Sequence, residues 1–363
     1  MPTRPANRPN FNQRIHELRG VAVIGVVGHH VSPSLVPGGF SGVDVFFVIS
    51  GYLITRWLGE RLHLRPRDIL FLFWKGRVSR LFPALAAMIG GVYLLAVFLL
   101  QPVELRFLGK HGFAALLGAA NVTLWTESGY FEVETARKPF LHLWSLGVEE
   151  QFYFFWPLLV LLAASFAIRL RLDTFRSIWL LTLALLFLSF WLSLELSGSS
   201  PAAAFFLPTT RAWELLSGCL LAVSAQLWPP SKPAKLVGRG LILAGYGGIL
   251  SAFFLIQPTL AIPGIVMVLP VLSTCFLIFG SNLDISSTAE KVPWLGPIWM
   301  LGEVSYPLYL WHWPLLVLGS LTLSASNYWI VEPLLVGLAL GLAFISHFFV
   351  EKPFRSIRTK DGV

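Results

Sequence analysis

Residues 18–58 constrain the fold of this chain more than any other stretch. They form two apolar segments, each about as long as a membrane helix, joined by an uncharged turn of Ser, Pro and Gly. Three ionisable side chains lie inside the apolar part, namely His29, His30 and Asp44. Such groups are rare at membrane depth, where they commonly mark functional sites. The stretch therefore predicts two antiparallel membrane helices that carry a functional site.

The spacing of the ionisable residues predicts which of them meet. His30 follows Arg19 by about 16 Å of helix, roughly half the hydrocarbon thickness of a bilayer. Asp44 enters the second segment about as deeply as His30 lies before the end of the first. Antiparallel packing would bring an imidazole and a carboxylate to one level. We therefore predict that His30 and Asp44 are neighbours.

The composition indicates a polytopic membrane protein rather than a soluble domain. The chain has 363 residues, of which 55% are hydrophobic and 13% charged, and its mean hydropathy is +0.70. The net charge of +8 would suit a nucleic-acid ligand, but most Lys and Arg fall on one side of the predicted membrane. This asymmetry is the pattern that orients helices in a bilayer. We therefore expect the lipid bilayer, and not nucleic acid, as a partner.

Ten apolar windows are predicted to span the membrane. They lie at residues 16–33, 41–58, 81–100, 146–167, 177–196, 209–227, 240–256, 263–280, 301–321 and 328–349. An eleventh window, residues 105–125, contains Arg106, Lys110, His111 and Asn121, and counting it as a span would place later basic loops outside. We predict that it is interfacial or re-entrant. The predicted fold is an all-α polytopic integral membrane bundle of about ten transmembrane helices with one such segment.

The ends of the chain are predicted to face the cytoplasm. Residues 1–14 are rich in Pro, Arg and Asn and are expected to be disordered. Residues 15–352 form the predicted membrane domain, and residues 353–363 form a basic tail. Basic segments favour the cytoplasmic side. Cys219 and Cys275 lie in separate apolar segments, so we interpret them as core residues and not as a disulfide or zinc site.

Two arginines differ from the other basic residues between the second and third spans. Basic residues beside a membrane commonly orient helices and contact anionic lipid, and this interpretation covers most of residues 56–75. Arg77 and Arg80 are three positions apart, so a helix would place both guanidinium groups on one face. Paired guanidinium groups suit phosphate oxygens. This pair is therefore a candidate phosphate site.

Charged groups in the later windows are further candidates. Glu149 and Glu150 begin the fourth span, where the helix dipole favours acids, so a structural role is an equal alternative. Arg211 and Glu214 predict an intrahelical ion pair. His312 lies between two tryptophans in a proline-broken segment and either lines a cavity or is an interior histidine. Five candidates converge toward the outer side under the ten-span topology: His30, Asp44, Glu149, Glu150 and Arg211.

The longest extramembrane stretch, residues 101–144, combines aromatic side chains with mixed charge. Such a stretch could form a saccharide-binding rim. It could equally form an aromatic belt at the membrane interface. Both interpretations stay open at the level of the sequence.

Four motifs occur in order along the chain. They are Arg19-x10-His30 followed by GGFSGVDVFFVISGYLI at residues 38–54, Arg77-Val-Ser-Arg80-Leu-Phe-Pro83, WSLGVEEQFY at residues 144–153, and SYPLYLWHWP at residues 305–314. The chain resembles membrane acyltransferase family 3 in these motifs. That family includes O-acetylases of lipopolysaccharide and other envelope glycans. The resemblance covers residues 14–355, nearly the whole chain.

The resemblance implies an integral membrane O-acyltransferase of a bacterial inner membrane. Such an enzyme moves an acyl group, expected to be acetyl, from cytoplasmic acyl-CoA to a hydroxyl of an envelope carbohydrate such as lipopolysaccharide O-antigen or exopolysaccharide. It implies that Arg77 and Arg80 bind the donor phosphates, with Arg19 as a third candidate. No metal is expected. The family often adds a soluble outer domain, so either the bundle or a separate protein is expected to select the acceptor.

Acyl transfer to a hydroxyl needs a base and stabilisation of the tetrahedral oxyanion. Our hypothesis makes His30 the base and Asp44 its orienting partner. Glu149 or Glu150 is a second candidate for either role, and Arg211 either positions an acid or stabilises charge. His30 either activates the acceptor or is itself acylated. The candidate substrate-binding residues are Glu214, Tyr306 and His312.

Two other classes of protein also fit buried ionisable residues. A proton-coupled exporter of an envelope intermediate would use such residues as a proton relay. Exporters often have duplicated halves with matching broken helices, and the first half of this chain has no counterpart to the proline-broken segment at residues 301–321. A haem protein could use His29, His312 and His347 as ligands.

Overall fold

The computed structural model describes residues 9–128, 138–229, 234–284 except 259 and 261, 296–322 and 328–354. Every regular element within these ranges is a helix, which confirms the all-α class. Some expectations lie outside the described residues. They concern residues 1–8, most aromatic and charged residues of the outer stretch at 129–137, and the tail from Arg355 onward.

The described residues contain fourteen α-helices, which we number in chain order. They are α1 (Pro9–Val31), α2 (Gly42–Gly59), α3 (Pro66–Ala96), α4 (Pro102–Leu116), α5 (Ala120–Glu127), α6 (Trp144–Arg169), α7 (Thr174–Ser199), α8 (Pro201–Phe206), α9 (Pro208–Leu227), α10 (Lys235–Leu255), α11 (Val268–Leu283), α12 (Gly296–Glu303), α13 (Ser305–Thr322) and α14 (Tyr328–Ile345). Short 3-10 turns precede α2, α6 and α11, and a π-helix (Ser346–Glu351) extends α14.

Seven helical segments of the described chain are long and apolar enough to cross a membrane. They are Gly39–Gly59, Pro66–Ala96, Leu141–Arg169, Thr174–Ser199, Lys235–Leu255, Ile265–Leu283 and Ile330–Phe354. Each overlaps one of the ten predicted spans. The structure thus supports a multi-pass membrane bundle, whereas the three remaining predicted spans, in α1, α9 and α13, do not reach the same apolarity.

Several helix boundaries differ from the sequence expectation. Helix α1 begins at Pro9, so residues 9–14 are helical although the N-terminal stretch was expected to be disordered. Helix α3 begins at Pro66, before the predicted span at residues 81–100, so it includes Arg77 and Arg80, whose spacing predicted a shared helix face. The single segment predicted at 301–321 is divided at Val304 between α12 and α13.

The window at 105–125 forms two helices, α4 and α5, of 15 and 8 residues. At 1.5 Å per residue, neither is long enough alone to cross about 30 Å of hydrocarbon. Gly118 separates them with a positive φ of 67°, a conformation that glycine adopts without steric cost. This break is a feature of the local sequence that the hydropathy pattern did not reveal.

Local sequence accounts for several helix starts. Proline occupies the first turn of α3, α4 and α9, where its missing N–H would have no helical partner anyway. Gln101 and Glu104 form a capping box at the start of α4. The Asp173 side chain caps α7 by accepting a hydrogen bond of 2.7 Å from the backbone N–H of Arg176.

Close packing between α2 and α9 positions much of the polar interior. A Cβ atom at Gly51 would overlap the backbone carbonyl of Leu215, and one at Gly218 would overlap that of Val48. Only glycine permits this approach of the two backbones. The contact places Asp44 near the start of α2 within reach of Arg211 near the start of α9, as the site geometry shows.

Candidate active site

A pocket lined by three guanidinium groups lies between α1, α2, α3, α6 and α13. Arg19, Arg77 and Arg80 line it, together with Glu149 and the hydroxyl-bearing residues Ser50, Ser145, Tyr153, Ser305, Tyr306 and Tyr309. We call this cavity the arginine pocket. The structure thus brings together all three residues predicted to bind the donor. It also adds Tyr306, whose hydroxyl donates to the carbonyl of Leu81 at 2.9 Å.

The arginines are held by different contacts. Arg19 Nε donates to Ser305 Oγ at 3.1 Å. The guanidinium of Arg77 lies 4.9 Å from the ring centre of Tyr153 and 5.5 Å from that of Phe73. Arg80 Nε is buried and makes no hydrogen bond within the described part of the chain. The pocket therefore has cationic donors that a phosphate could engage.

Glu149 belongs to the arginine pocket. Ser50 Oγ donates to Glu149 Oε1 at 2.7 Å, and Tyr153 donates to Ser50 Oγ at 3.1 Å. Because α6 begins at Trp144, Glu149 and Glu150 lie beyond its first turn, contrary to the expectation that the helix dipole holds them. Glu150 faces a separate cleft beside Gly118.

Two imidazole rings meet at the far end of α1 and in the middle of α13. His30 Nδ1 lies 3.0 Å from His312 Nε2, and the two ring centres are 5.1 Å apart. We call these residues the imidazole pair. His312 is fully buried, whereas His30 is partly exposed and packs against Trp313 at 4.5 Å between ring centres.

Backbone carbonyls determine the tautomers of the imidazole pair. His312 Nδ1 lies 2.7 Å from the carbonyl oxygen of Tyr309 and 3.2 Å from that of Leu308. A carbonyl only accepts, so His312 Nδ1 carries the proton, and Nε2 of the neutral ring accepts. His30 Nδ1 must then donate to His312, which leaves the lone pair on His30 Nε2. No hydrogen bond occupies this Nε2 among the described residues. The arrangement therefore presents a free basic nitrogen.

A third histidine, His142, bonds to α13 at a carbonyl that Pro314 leaves unpaired. Pro314 lacks the N–H that would bond to the carbonyl of Leu310 in α13. His142 Nε2 donates to this carbonyl instead, at 3.1 Å. His142 is buried, and its ring centre lies 5.6 Å from that of His312. The proline thus anchors the segment before α6 against α13.

Two hydroxyl groups lie between the arginine pocket and the histidines. Ser145 Oγ and Tyr309 Oη are 2.7 Å apart, and Tyr309 donates to the carbonyl of His142 at 2.8 Å. We call Ser145 and Tyr309 the hydroxyl pair. Both residues line the arginine pocket, while the ring centre of Tyr309 lies 5.5 Å from that of His312. The hydroxyl pair therefore forms the boundary between the two regions.

Asp44 does not pair with His30, and this prediction was wrong. Arg211 Nη2 donates to Asp44 Oδ1 at 2.9 Å and lies 3.1 Å from Glu214 Oε2. We call Asp44, Arg211 and Glu214 the buried ion cluster, since the side chain of each is at most 2% exposed. The spacing along the two helices predicted the depth of Asp44 in the membrane, but it did not predict the direction in which the carboxylate points. The guanidinium of Arg211 has more hydrogen-bond donors than the ring of His30, so it pairs with the Asp44 carboxylate.

The predicted ion pair between Arg211 and Glu214 is confirmed, but with an additional partner. The guanidinium also lies 5.1 to 5.8 Å from the ring centres of three aromatic side chains: Phe47, Trp144 and Phe205. None of the three ionic residues lines the arginine pocket, although Phe47 does. The buried ion cluster therefore lies one layer of side chains behind the pocket wall.

A more exposed charged cluster lies beside the imidazole pair. Glu127 Oε1 accepts from Lys110 at 2.8 Å, and its Oε2 accepts from Lys138 at 2.6 Å and His111 at 2.8 Å. Burial alone would raise the pKa of Glu127, but these hydrogen bonds outweigh it and lower the pKa to about 2. The carbonyl of Lys138 accepts from the indole of Trp313 at 3.0 Å.

Sequence reasoning missed four residues of the site. His142, Ser145, Tyr309 and Ser50 were not singled out, although three of them lie within the quoted motifs. The available signal for His142 was its position two residues before WSLGVEEQFY together with the unpaired carbonyl that Pro314 creates. Within the described ranges, no group of three or more His, Cys, Asp or Glu side chains could hold a metal ion. The absence of a metal stays a prediction.

The fold and site together define a multi-pass membrane bundle with a cationic pocket beside two hydrogen-bonded imidazole rings. A family model described as an acyltransferase domain, of acyltransferase family 3, matches residues 12–348. The chain therefore belongs to this acyltransferase family.

Relatives with descriptive names share the same region. The O-acetyltransferase OatA of Staphylococcus aureus is 30% identical over 361 residues, which cover 96% of this chain and 58% of the relative. The peptidoglycan O-acetyltransferase OatA of Listeria monocytogenes is 33% identical over 355 residues, which cover 94% of this chain and 55% of the relative. The chain thus spans a little over half the length of these relatives. No solved structure matches it significantly.

Proposed function

We propose that this protein is a membrane O-acetyltransferase that transfers acetyl groups from acetyl-CoA to hydroxyl groups of peptidoglycan. The observation that carries the proposal is the imidazole pair, with a free Nε2 atom, one layer of side chains beyond the arginine pocket. The names of the relatives favour peptidoglycan. They do not support the lipopolysaccharide or exopolysaccharide acceptor that the sequence analysis expected.

The proposed topology keeps ten spans. Helices α1, α9 and α13 have 23, 20 and 18 residues, so each is long enough to cross most or all of a hydrocarbon core. Their lower apolarity comes from residues of the site, such as Arg19, Arg211 and His312. The excess of basic residues near the pocket end favours a cytoplasmic location for that end and for both termini.

The arginine pocket is the proposed donor site. Arg77 and Arg80 lie on one face of α3 and, with Arg19, offer guanidinium groups to the phosphates of acetyl-CoA. The pantetheine arm would extend along the pocket toward Ser145 and Tyr309. This direction follows from α13, in which Ser305 and Tyr306 lie nearer the arginines and Tyr309 lies one turn further along.

The imidazole pair is the proposed base. His30 Nε2 accepts the proton of the acceptor hydroxyl group while the oxygen of that hydroxyl group attacks the thioester carbon. His312 takes the orienting role that the sequence analysis gave to Asp44, because it accepts from His30 Nδ1. The carbonyls of Leu308 and Tyr309 stabilise positive charge that spreads to His312. When the C–S bond breaks, the proton on His30 passes to the sulfur of CoA.

The test is acetyl transfer by purified protein in lipid nanodiscs, with radiolabelled acetyl-CoA and muramyl dipeptide as acceptor. We expect His30→Ala to lower kcat by a factor of about 10³ or more. His29→Ala is the matched control, because Nδ1 of the adjacent His29 bonds to the Val36 carbonyl in the turn after α1 and His30 Nδ1 bonds to His312. Wild-type protein that transports saccharide without transferring acetyl would favour the exporter instead.

A second arm of the same experiment tests the donor site. We expect Arg77→Ala combined with Arg80→Ala to raise the KM for acetyl-CoA by a factor of about 10 to 100, since hydrogen bonds to charged groups contribute about 1.5–3 kcal/mol. Arg61→Ala is the control for loss of a basic residue at the same end of the bundle. An unchanged KM in the double variant would reject the phosphate role.

A further inference from the structure

We propose that the hydroxyl pair, Ser145 and Tyr309, is the oxyanion site of the acyl transfer. From the sequence, only Arg211 was a candidate for stabilising this charge. The inference rests on the proposed acetyltransferase function and adds the two groups that stabilise its tetrahedral intermediate.

Ser145 and Tyr309 both line the arginine pocket, on the side of α6 and α13 that lies toward the histidines. The Tyr309 ring packs against His142 and His312, at 5.3 and 5.5 Å between ring centres. A thioester carbonyl that enters from the arginines and meets an acceptor activated by His30 must therefore pass at the level of these two hydroxyl groups.

The two hydroxyl groups carry two protons, and both are engaged within a small, buried network. Tyr309 donates to the carbonyl of His142, and Ser145 lies 2.7 Å from Tyr309 Oη and 3.3 Å from the same carbonyl. Hydroxyl protons rotate about the C–O bond. Both can therefore turn to another oxygen without moving either side chain far.

This arrangement favours the transition state over the bound substrate. The neutral carbonyl of a bound thioester is no better an acceptor than the carbonyl of His142, so the resting bonds persist while the donor binds. The tetrahedral oxyanion is a far stronger acceptor. Both protons then turn to it as negative charge develops. Only an interaction that strengthens in the transition state accelerates the reaction.

Arg211 is less suited to this task. Its guanidinium bonds to Asp44 and lies beside Glu214, and its side chain is 2% exposed behind the aromatic rings of Phe47 and Trp144. Two carboxylates already compete for its positive charge. A reacting carbonyl in the pocket would have to displace those rings to reach it.

In the proposed reaction, each proton and electron pair has a defined destination. The acceptor oxygen loses its proton to His30 Nε2 and bonds to the thioester carbon, while the carbonyl electron pair moves onto oxygen. Ser145 and Tyr309 donate to that oxygen. Collapse restores the carbonyl and breaks the C–S bond, and the sulfur takes the proton from His30. The hydroxyl pair then returns to the carbonyl of His142.

The test compares Tyr309→Phe and Ser145→Ala with Tyr52→Phe. Tyr52 is the matched control because its buried hydroxyl accepts from Asn282 between α2 and α11, outside the pocket. We expect each hydroxyl-pair variant to lower kcat by a factor of about 10²–10³. The affinity for acetonyl-CoA, a ketone analogue without a leaving thioester, should stay within about twofold of wild type because ground-state binding does not use these donors. Tyr52→Phe should keep the wild-type kcat and the wild-type affinity for acetonyl-CoA.

Distinct results would overturn the inference. A wild-type kcat in Tyr309→Phe, or a parallel loss of acetonyl-CoA affinity, would remove the oxyanion role. Detection of acetyl on Tyr309 by mass spectrometry of quenched enzyme would make the hydroxyl a nucleophile instead. Wild-type protein without acetyl transfer would refute the proposed function itself, which keeps the two failures separate. Equal melting temperatures of the three variants would exclude a loss of folding as the cause.

Discussion

The imidazole pair and the buried ion cluster both contain ionisable side chains, but the hydrogen bonds of these side chains differ between the two regions. In the ion cluster, two carboxylates surround one guanidinium, and all three side chains are at most 2% exposed. In the imidazole pair, one ring is buried and fully bonded, and it fixes the other ring so that a nitrogen stays free. The carboxylates of the cluster face its one guanidinium, and Glu214 Oε1, Glu214 Oε2 and Arg211 Nε are buried without a hydrogen bond among the described residues. The pair instead keeps one basic atom available for chemistry.

The two regions differ in whether a buried ionisable group stays open to a reacting molecule. Asp44 and Arg211 were predicted to be catalytic because ionisable groups at membrane depth commonly have functions. Their contacts connect the start of α2 to the start of α9, beside the close packing at Gly51 and Gly218. We therefore propose that the buried ion cluster positions helices, and that the imidazole pair performs the chemistry.

The largest expected effect is on stability, when the buried ion cluster loses its cation. Arg211→Met leaves two buried carboxylates without their guanidinium, so we expect the free energy of unfolding to fall by about 3–5 kcal/mol. The measurement is equilibrium unfolding of the purified protein by denaturant. Arg56→Met, which removes an exposed ion pair with Glu60, should cost no more than about 1 kcal/mol.

A neutral version of the cluster sharpens this prediction. Combining Asp44→Asn, Arg211→Met and Glu214→Gln removes all formal charges together, and such replacements of buried ion groups are often neutral or stabilising. We expect the triple variant to recover most of the stability that Arg211→Met loses. A triple variant as unstable as the single one would show that packing around Arg211, and not its charge, holds α2 and α9.

The next effect concerns the orienting ring of the imidazole pair. His312→Leu removes the acceptor for His30 Nδ1, so the His30 ring is free to rotate or to change tautomer. We expect kcat to fall by a factor of about 10² with little loss of stability. His312→Gln, whose side-chain oxygen can accept from His30, should restore part of the rate. The pH–rate profile of each variant is the check, and a wild-type profile in His312→Leu would place the control of His30 elsewhere.

The smallest effect comes from Glu127, which is partly exposed and has three cationic or imidazole partners around its carboxylate. Its folded pKa of about 2 lies below the ordinary value of 4.5, so its stabilisation is present above pH 4.5 and is lost as the pH falls toward 2. Allowing for solvent screening, we expect a loss of about 1–2 kcal/mol.

Glu127→Gln provides the comparison for this loss. The variant lacks the titrating carboxylate, so its free energy of unfolding should change less than that of wild type between pH 5 and pH 3. Parallel curves for the two proteins would contradict the role of Glu127. They would also show that another carboxylate controls stability in acid.

The sequence alone determined the all-α class, the family and the three arginines that line the arginine pocket. Hydropathy over windows of helix length reports burial in lipid directly, because a bilayer requires such segments. The i,i+3 spacing of Arg77 and Arg80, and of Arg211 and Glu214, fixed which side chains share a helix face, because a helix repeats every 3.6 residues. These are local properties, and the structure retains them.

Only the tertiary structure decided which helices face each other. Spacing placed Asp44 near the level of His30, but the rotation of α2 turns its carboxylate to Arg211, and the rotation of α13 turns His312 to His30. The role of Pro314 likewise depends on His142, which lies 172 positions earlier in the chain and reaches the carbonyl that the proline leaves unpaired. Rotation about a helix axis changes no local pattern, so tertiary contacts had to specify the site.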